Sequence, residues 1–336
     1  MKHVLVCRIA APVLLAGLCA LTAGCGSESS SGPRTAAATA ADASSPDAGA
    51  GGLVQLTMSP GEAGPGGETI LCEYLAPLEK DLYITRLDTF QQAGGHHLVF
   101  YRWLGAEKAA GVIEDCAEGK TMSQMMLVLT PIVAPKGNTA HVEFPAGMAL
   151  HIAAGTQLVA QYHYINATDQ PIPFRDVARL RTVPVEQVKQ VVRTFGFGSL
   201  DYSLPPGKEY TDSFACDVPY DMKPVVAFPH MHHLGVRFRA DVGTAGVFVP
   251  FIDVARWEPG MRDVPPLTNW LAEPPPTPAV FHRGEQIRTF CTWVNTTSAA
   301  LGFPEEMCAT AGYFTADDPA ADNLICTGTT KVAATP

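Results

Sequence analysis

Helical periodicity, an excess of positive charge and an apolar run long enough to cross a bilayer are scarce in or missing from this chain. Apolar residues rarely recur at three- and four-residue spacing, so only short stretches around 119–127 and 305–311 suggest helix. Lys and Arg number 23 against 33 Asp and Glu, a formal charge of −10. That balance suits solubility and argues against a surface for nucleic-acid phosphates. Residues 26–52 (GSESSSGPRTAAATAADASSPDAGAGG) contain no large aliphatic or aromatic side chain. They cannot bury enough surface to offset chain entropy, and a flexible tether is expected. No internal repeat is visible.

The longest apolar run, IAAPVLLAGLCALTAGC from Ile9, follows Lys2 and Arg8 and is too short to span a membrane. A charged start with a short apolar core is the pattern of an export signal over residues 1–25. Its end, LTAGC, resembles a bacterial lipoprotein signal cut before Cys25, whose thiol would then carry lipid. The expected location is the cell envelope, with membrane contact through that lipid alone.

What remains is a body of roughly 280 residues, larger than one hydrophobic core usually grows, so two domains are expected, 53–190 and 191–336. Stretches such as LYITRL, HHLVFYRW, VVRTFGF, VRFRADV and IRTFCTWV recur between turns rich in the 28 prolines and 30 glycines. That rhythm predicts an all-β fold of two antiparallel, jelly-roll-like sandwiches in tandem. Of nine cysteines, Cys7 and Cys19 leave with the signal and Cys25 is the lipid candidate. An even set remains at 72, 116, 216, 291, 308 and 326, as suits an oxidising compartment. Arithmetic leaves their pairing open.

The ten histidines are unevenly spent. FPHMHHLGVRF, from Phe228, holds three; on a strand His230 and His232 share a face, giving half of a metal site for a borderline ion such as copper or zinc. His233 points away, toward the surface. His96 and His97 adjoin in QAGGHHLVF and would face opposite ways on a regular strand, so joint ligation requires a bulge or twist, which Gly94 and Gly95 permit. His163 lies in QYHYINATD. His141, His151 and His282 suggest nothing beyond satisfied polar groups. Met122, Met125 and Met126 in TMSQMM suggest core packing.

In order, HH, QYHY, HMHHLG and EEMC resemble the copper type II, ascorbate-dependent monooxygenases, the family of peptidylglycine α-hydroxylating monooxygenase and dopamine β-monooxygenase. The likeness runs from about residue 53 to 330. It implies one copper held by His96, His97 and His163, with Gln161 helping to orient it, and a second, catalytic copper held by His230, His232 and Met307. It also implies disulfides Cys72–Cys116, Cys216–Cys326 and Cys291–Cys308. Ascorbate or another one-electron reductant and O2 would be co-substrates. Two neutral imidazoles and a thioether favour reduced copper, which can engage dioxygen and lead to hydroxylation of an aliphatic C–H; three imidazoles accommodate both oxidation states and suit electron storage. The bridge at Cys308 would restrain Met307.

One family feature is missing. Where the peptide-hydroxylating member holds its substrate's carboxylate with arginine, asparagine and tyrosine, this chain has Phe228, Ala309 and Ala311. An unpartnered buried anion is costly, so a small substrate without that carboxylate is expected, near Phe228, Tyr313 and Phe314. Two other functions fit the sequence: a non-catalytic copper protein for storage, delivery or sensing, and an adhesion module with structural zinc. The thioether argues against zinc. The sequence leaves the oligomeric state open.

Overall fold

The computed structural model describes residues 51–116, 124–131, 133–136, 139–262, 264–303, 305–328 and 330–331. The expected signal, Cys25 and the expected tether up to residue 50 lie outside them. The tether expectation ran two residues too far: Gly52 and Thr182 exchange backbone hydrogen bonds, so Gly51 and Gly52 already abut the first sheet edge.

The fold is all-β. Helix is confined, among the described residues, to short 3-10 turns such as Val185–Gln187 and Pro259–Arg262. Neither helical expectation holds where it can be seen. Met125–Leu129 is a strand with Met125 and Met126 buried; Met122 lies outside the described residues. Over 305–311, Cys308–Thr315 begins a strand paired on both sides, by Gln190–Ser199 and Lys223–His230. Two ladders of hydrogen bonds override the modest helical preference of EEMCATA.

Two five-stranded sheets pack on one eleven-stranded sheet. The first small sheet is built around Leu158–Asn166, flanked by Gly67–Tyr74 and Gly95–Trp103. Its inward residues, including Leu98, Phe100, Ala160 and Tyr162, meet Ile84, Leu87, Leu150 and Leu180 of the large sheet. The second is built around Gln286–Val294, flanked by Glu209–Asp217 and Gly235–Thr244. Its core is richer in aromatics, with Phe214, Phe238 and Trp293 against Phe195, Phe197 and Phe314. The large sheet is continuous because Met148–Ile152 pairs in parallel with Gln190–Ser199. Val225, Val226 and Tyr313 of the later strands pack into the first core.

Cystine bridges join Cys72 to Cys116, Cys216 to Cys326 and Cys291 to Cys308. These are the pairings that the family resemblance implies. The first lies under the outer face of the first small sheet with Tyr74, Trp103 and Val159.

The body is internally duplicated. Leu53–Thr57, Gly67–Tyr74, Leu82–Phe90, Gly95–Trp103, Met125–Leu129, Leu158–Asn166 and Val177–Thr182 correspond, in chain order and pairing, to Gln190–Ser199, Glu209–Asp217, Lys223–His230, Gly235–Thr244, Val247–Val254, Gln286–Val294 and Cys308–Thr315. The turns after Leu158–Asn166 and Gln286–Val294 match atom for atom. Asn166 Nδ2 donates to Ala63 O and Gln170 O while its Oδ1 accepts from Thr168. Asn295 Nδ2 donates to Leu204 O and Ala299 O while its Oδ1 accepts from Thr297. The absence of a visible repeat in the sequence is thus corrected: strand pairing needs only an alternating pattern, and Asn-x-Thr is the main identity left.

Candidate metal centres

The first centre depends on a bulge. His163 pairs with His97, and the next residue, Tyr164, pairs with Gly95, so His96 is the extra residue between them. That insertion undoes the alternation that would have separated the two histidines. Glycine is required just before it: Gly94 has φ +80°, and a Cβ on Gly95 would lie 2.4 Å from Gln91 Cβ. The three rings gather with centroid separations of 5.2, 4.6 and 4.9 Å. One ligand nitrogen from each lies within 4.8 Å of the others. His163 is buried, and Gln161, two residues earlier on the same face, accepts a 3.4 Å hydrogen bond from Tyr101.

At the second centre the sequence places a rigid loop. His230 ends Lys223–His230 and faces Ala309 of the neighbouring strand. His232 lies in the following turn, and the two rings stand 5.2 Å apart, edge to face. The turn is held from below by Glu306, fully buried, whose carboxylate accepts from the backbone N–H of His232 (3.0 Å) and Leu234 (2.7 Å) and from Trp293 Nε1 (3.0 Å). Burial raises the Glu306 pKa while these donors lower it, with a net upward displacement. Trp257 Nε1 caps the His232 carbonyl. His232 Nδ1 lies 2.9 Å from the Glu305 carbonyl, so it carries the proton and leaves Nε2 as the open donor. Burial is the main cause that pushes the His232 pKa down, which keeps the ring neutral as a ligand must be.

Met307, half-buried, is placed by its neighbours. Glu305 and Glu306 on one side grip His232, and Cys308 and Ala309 on the other lead into the strand that faces His230. His233 is exposed, 3.9 Å from Glu306 Oε1. His151 stacks on Tyr83 and lies 3.3 Å from Asp81, and His282 lies 3.6 Å from Asp221.

The expected substrate pocket needs correction. Tyr313 is buried in the first core with its hydroxyl bonded to Thr130, and Phe314 is fully buried in the second. Both serve packing, because their strand is central in the large sheet. Phe228 remains half-exposed on the same strand face as His230, with Ala311 opposite.

Sequence reasoning missed Glu68 and Arg262. Glu68 Oε1 lies 2.5 Å from His163 Nε2 and 3.4 Å from Arg262 Nη1. Both charges also reach His232, Arg262 lowering its pKa and Glu68 raising it. Glu68 and Arg262 are therefore near enough to the second centre to act on it electrostatically. The residues fit the ion that the resemblance implies: three neutral imidazoles at one centre, and two neutral imidazoles at the other, with Met307 between the residues that bond His232 and face His230.

No family model and no curated protein matches the chain. Among solved structures it is similar to the major capsid protein P2 of bacteriophage PM2, at 11% identity over 80% of this chain and 99% of that chain, TM-score 0.35. It is similar also to the structure of the infectious bursal disease virus Gx strain, at 9% identity over 81% and 74%, TM-score 0.20. Likeness at this level leaves function to the residues themselves.

Proposed function

We propose that this protein is an exported copper monooxygenase that hydroxylates an aliphatic C–H of a small organic substrate, with O2 and two electrons from ascorbate or an equivalent reductant. The observation that carries this reading is the gathering of His96, His97 and His163 into one cluster, with His230 and His232 paired edge to face in the same body. Copper, when bound, supplies the redox chemistry. The chain's part is to hold neutral imidazoles in fixed tautomers, to keep a thioether beside two of them, and to offer Phe228, Ala309 and Ala311 as an apolar bed for the substrate. A substrate held there needs no carboxylate, since no cation is drawn from those three positions.

The test is copper content and oxygen uptake of the purified chain with ascorbate, beside Met307→Ala. Two coppers per chain, with uptake that Met307→Ala lowers about tenfold or more, supports the reading; a chain that binds no copper sinks it. The missing carboxylate clamp favours one second reading, a copper protein for storage, delivery or sensing. Freely exchanging copper, with no oxygen consumed across a broad panel of hydrophobic substrates, would select it.

A further inference from the structure

We propose that Glu68 is a positioning residue of the three-histidine centre, which it orients through His163 and ties to the second half of the molecule through Arg262. The inference rests on the copper reading above and adds to it a residue outside the six implied ligands. A carboxylate oxygen lies 2.5 Å from a buried ring nitrogen, off the line of a straight N–H···O bond but close enough that its charge draws the ring proton to that nitrogen, since two bare acceptors would repel. With the proton on His163 Nε2, the lone pair is left on Nδ1, and the charge of the carboxylate favours that tautomer. Ligating histidines typically give their second N–H to a carboxylate or carbonyl in this way, which sets the tautomer and raises basicity.

Glu68 itself is held. It stands near the start of Gly67–Tyr74, whose pairing places it opposite Ile165, two residues beyond His163. The same Oε1 that meets His163 lies 3.4 Å from Arg262 Nη1, across a sequence separation of 194 residues. Arg262 ends the 3-10 turn Pro259–Arg262, shortly after Trp257, the residue that caps His232. One oxygen thus joins a side chain of the first centre to an element packed beside the second. The Glu68 side chain is 45% exposed, so it contributes little to the core and can be changed without unfolding the chain.

The negative charge has a further consequence. An anion beside the centre stabilises the more positive oxidation state, so Glu68 favours Cu(II) over Cu(I) and lowers the centre's reduction potential. That suits a centre that gives an electron away.

The experiment compares the whole wild-type chain with Glu68→Ala, Glu68→Gln and Arg262→Met, each checked for an unchanged unfolding midpoint. Copper(II) affinity is measured by chelator competition, and the two centres are followed by electron paramagnetic resonance and potentiometric titration. In Glu68→Ala, one of two sites is expected to lose about 10–100-fold in Cu(II) affinity, with an altered spectrum and a higher reduction potential. Glu68→Gln keeps an acceptor oxygen and is expected to lose less affinity while still raising the potential. Arg262→Met is expected to cause a smaller loss at that same site. Wild-type spectrum, affinity and potential at both sites in Glu68→Ala would overturn the proposal and leave the copper reading intact. A wild-type chain that binds no copper would overturn both.

Discussion

The two halves of the body share a frame and differ in what they hang on it. In each, a central strand leads into a buried asparagine, which ends the first strand and directly follows the second; two residues earlier an aromatic side chain reaches a buried carboxylate beneath a turn. In the first half Tyr164 and Gln91 donate to Asp176, and in the second Trp293 and the 232–234 backbone donate to Glu306. Three residues before the asparagine, the first half has His163, where the second has Thr292, bonded to Thr211 at 2.9 Å. The second half instead carries Met307, the proposed soft donor, just before Cys308–Thr315. One frame can therefore carry two different proposed donor sets, because the anchoring carboxylate is separate from the proposed donors.

That comparison breaks most visibly at Glu306. Glu306→Ala leaves two backbone N–H groups and an indole N–H buried without their acceptor, and should cost about 3–5 kcal/mol in urea unfolding. Asp176→Ala, whose partners are one amide and one hydroxyl, should cost about half that. Equal costs would show that the second turn is not specially braced.

The matched asparagines sharpen the comparison. Asn166→Ala and Asn295→Ala each remove two donated bonds and the acceptor of Thr168 or Thr297, and each should cost about 2–3 kcal/mol. Values differing by more than about 1 kcal/mol would show that the duplication is one of shape and not of energetics.

A smaller effect concerns pH. Burial, more than its hydrogen bonds can offset, pushes the Asp176 carboxyl up to about 6 from its ordinary 3.8. A raised carboxyl pKa gives stability that is fully present below about pH 4 and lost as pH rises through 6. Wild-type unfolding free energy should therefore fall relative to Asp176→Asn by roughly 1–3 kcal/mol between pH 4 and 6.5. A constant difference across that window would place Asp176 in a wetter setting.

Much of this was open to reading from the sequence, for a physical reason. Strands such as LYITRL and IRTFCTWV announce themselves because alternation is local, and GGHH carries both the bulge and its permission in adjacent residues. What escaped depends on distant partners. Cys308–Thr315 becomes strand through ladders to segments about 80 to 120 residues earlier, and the same burial removes Tyr313 and Phe314 from any cleft. Glu68 stands out in no local pattern, since its meaning comes from His163 and Arg262 together. The duplication left YINAT and WVNTT as its trace, too short to register without the pairing.

The parallel pairing of Met148, Ala149 and Leu150 with Gln190, Val191 and Val192 has a mechanical consequence. Two sandwiches joined only by a linker could swing, and any electron passing between them would wait on that swing. Here the joint is itself a stretch of sheet, so the gap between the halves is established as the chain folds. For the proposed chemistry, electron delivery would then be timed by the span between the centres and by whatever lies in it, and a mutation that slackened this seam would act as a change of distance.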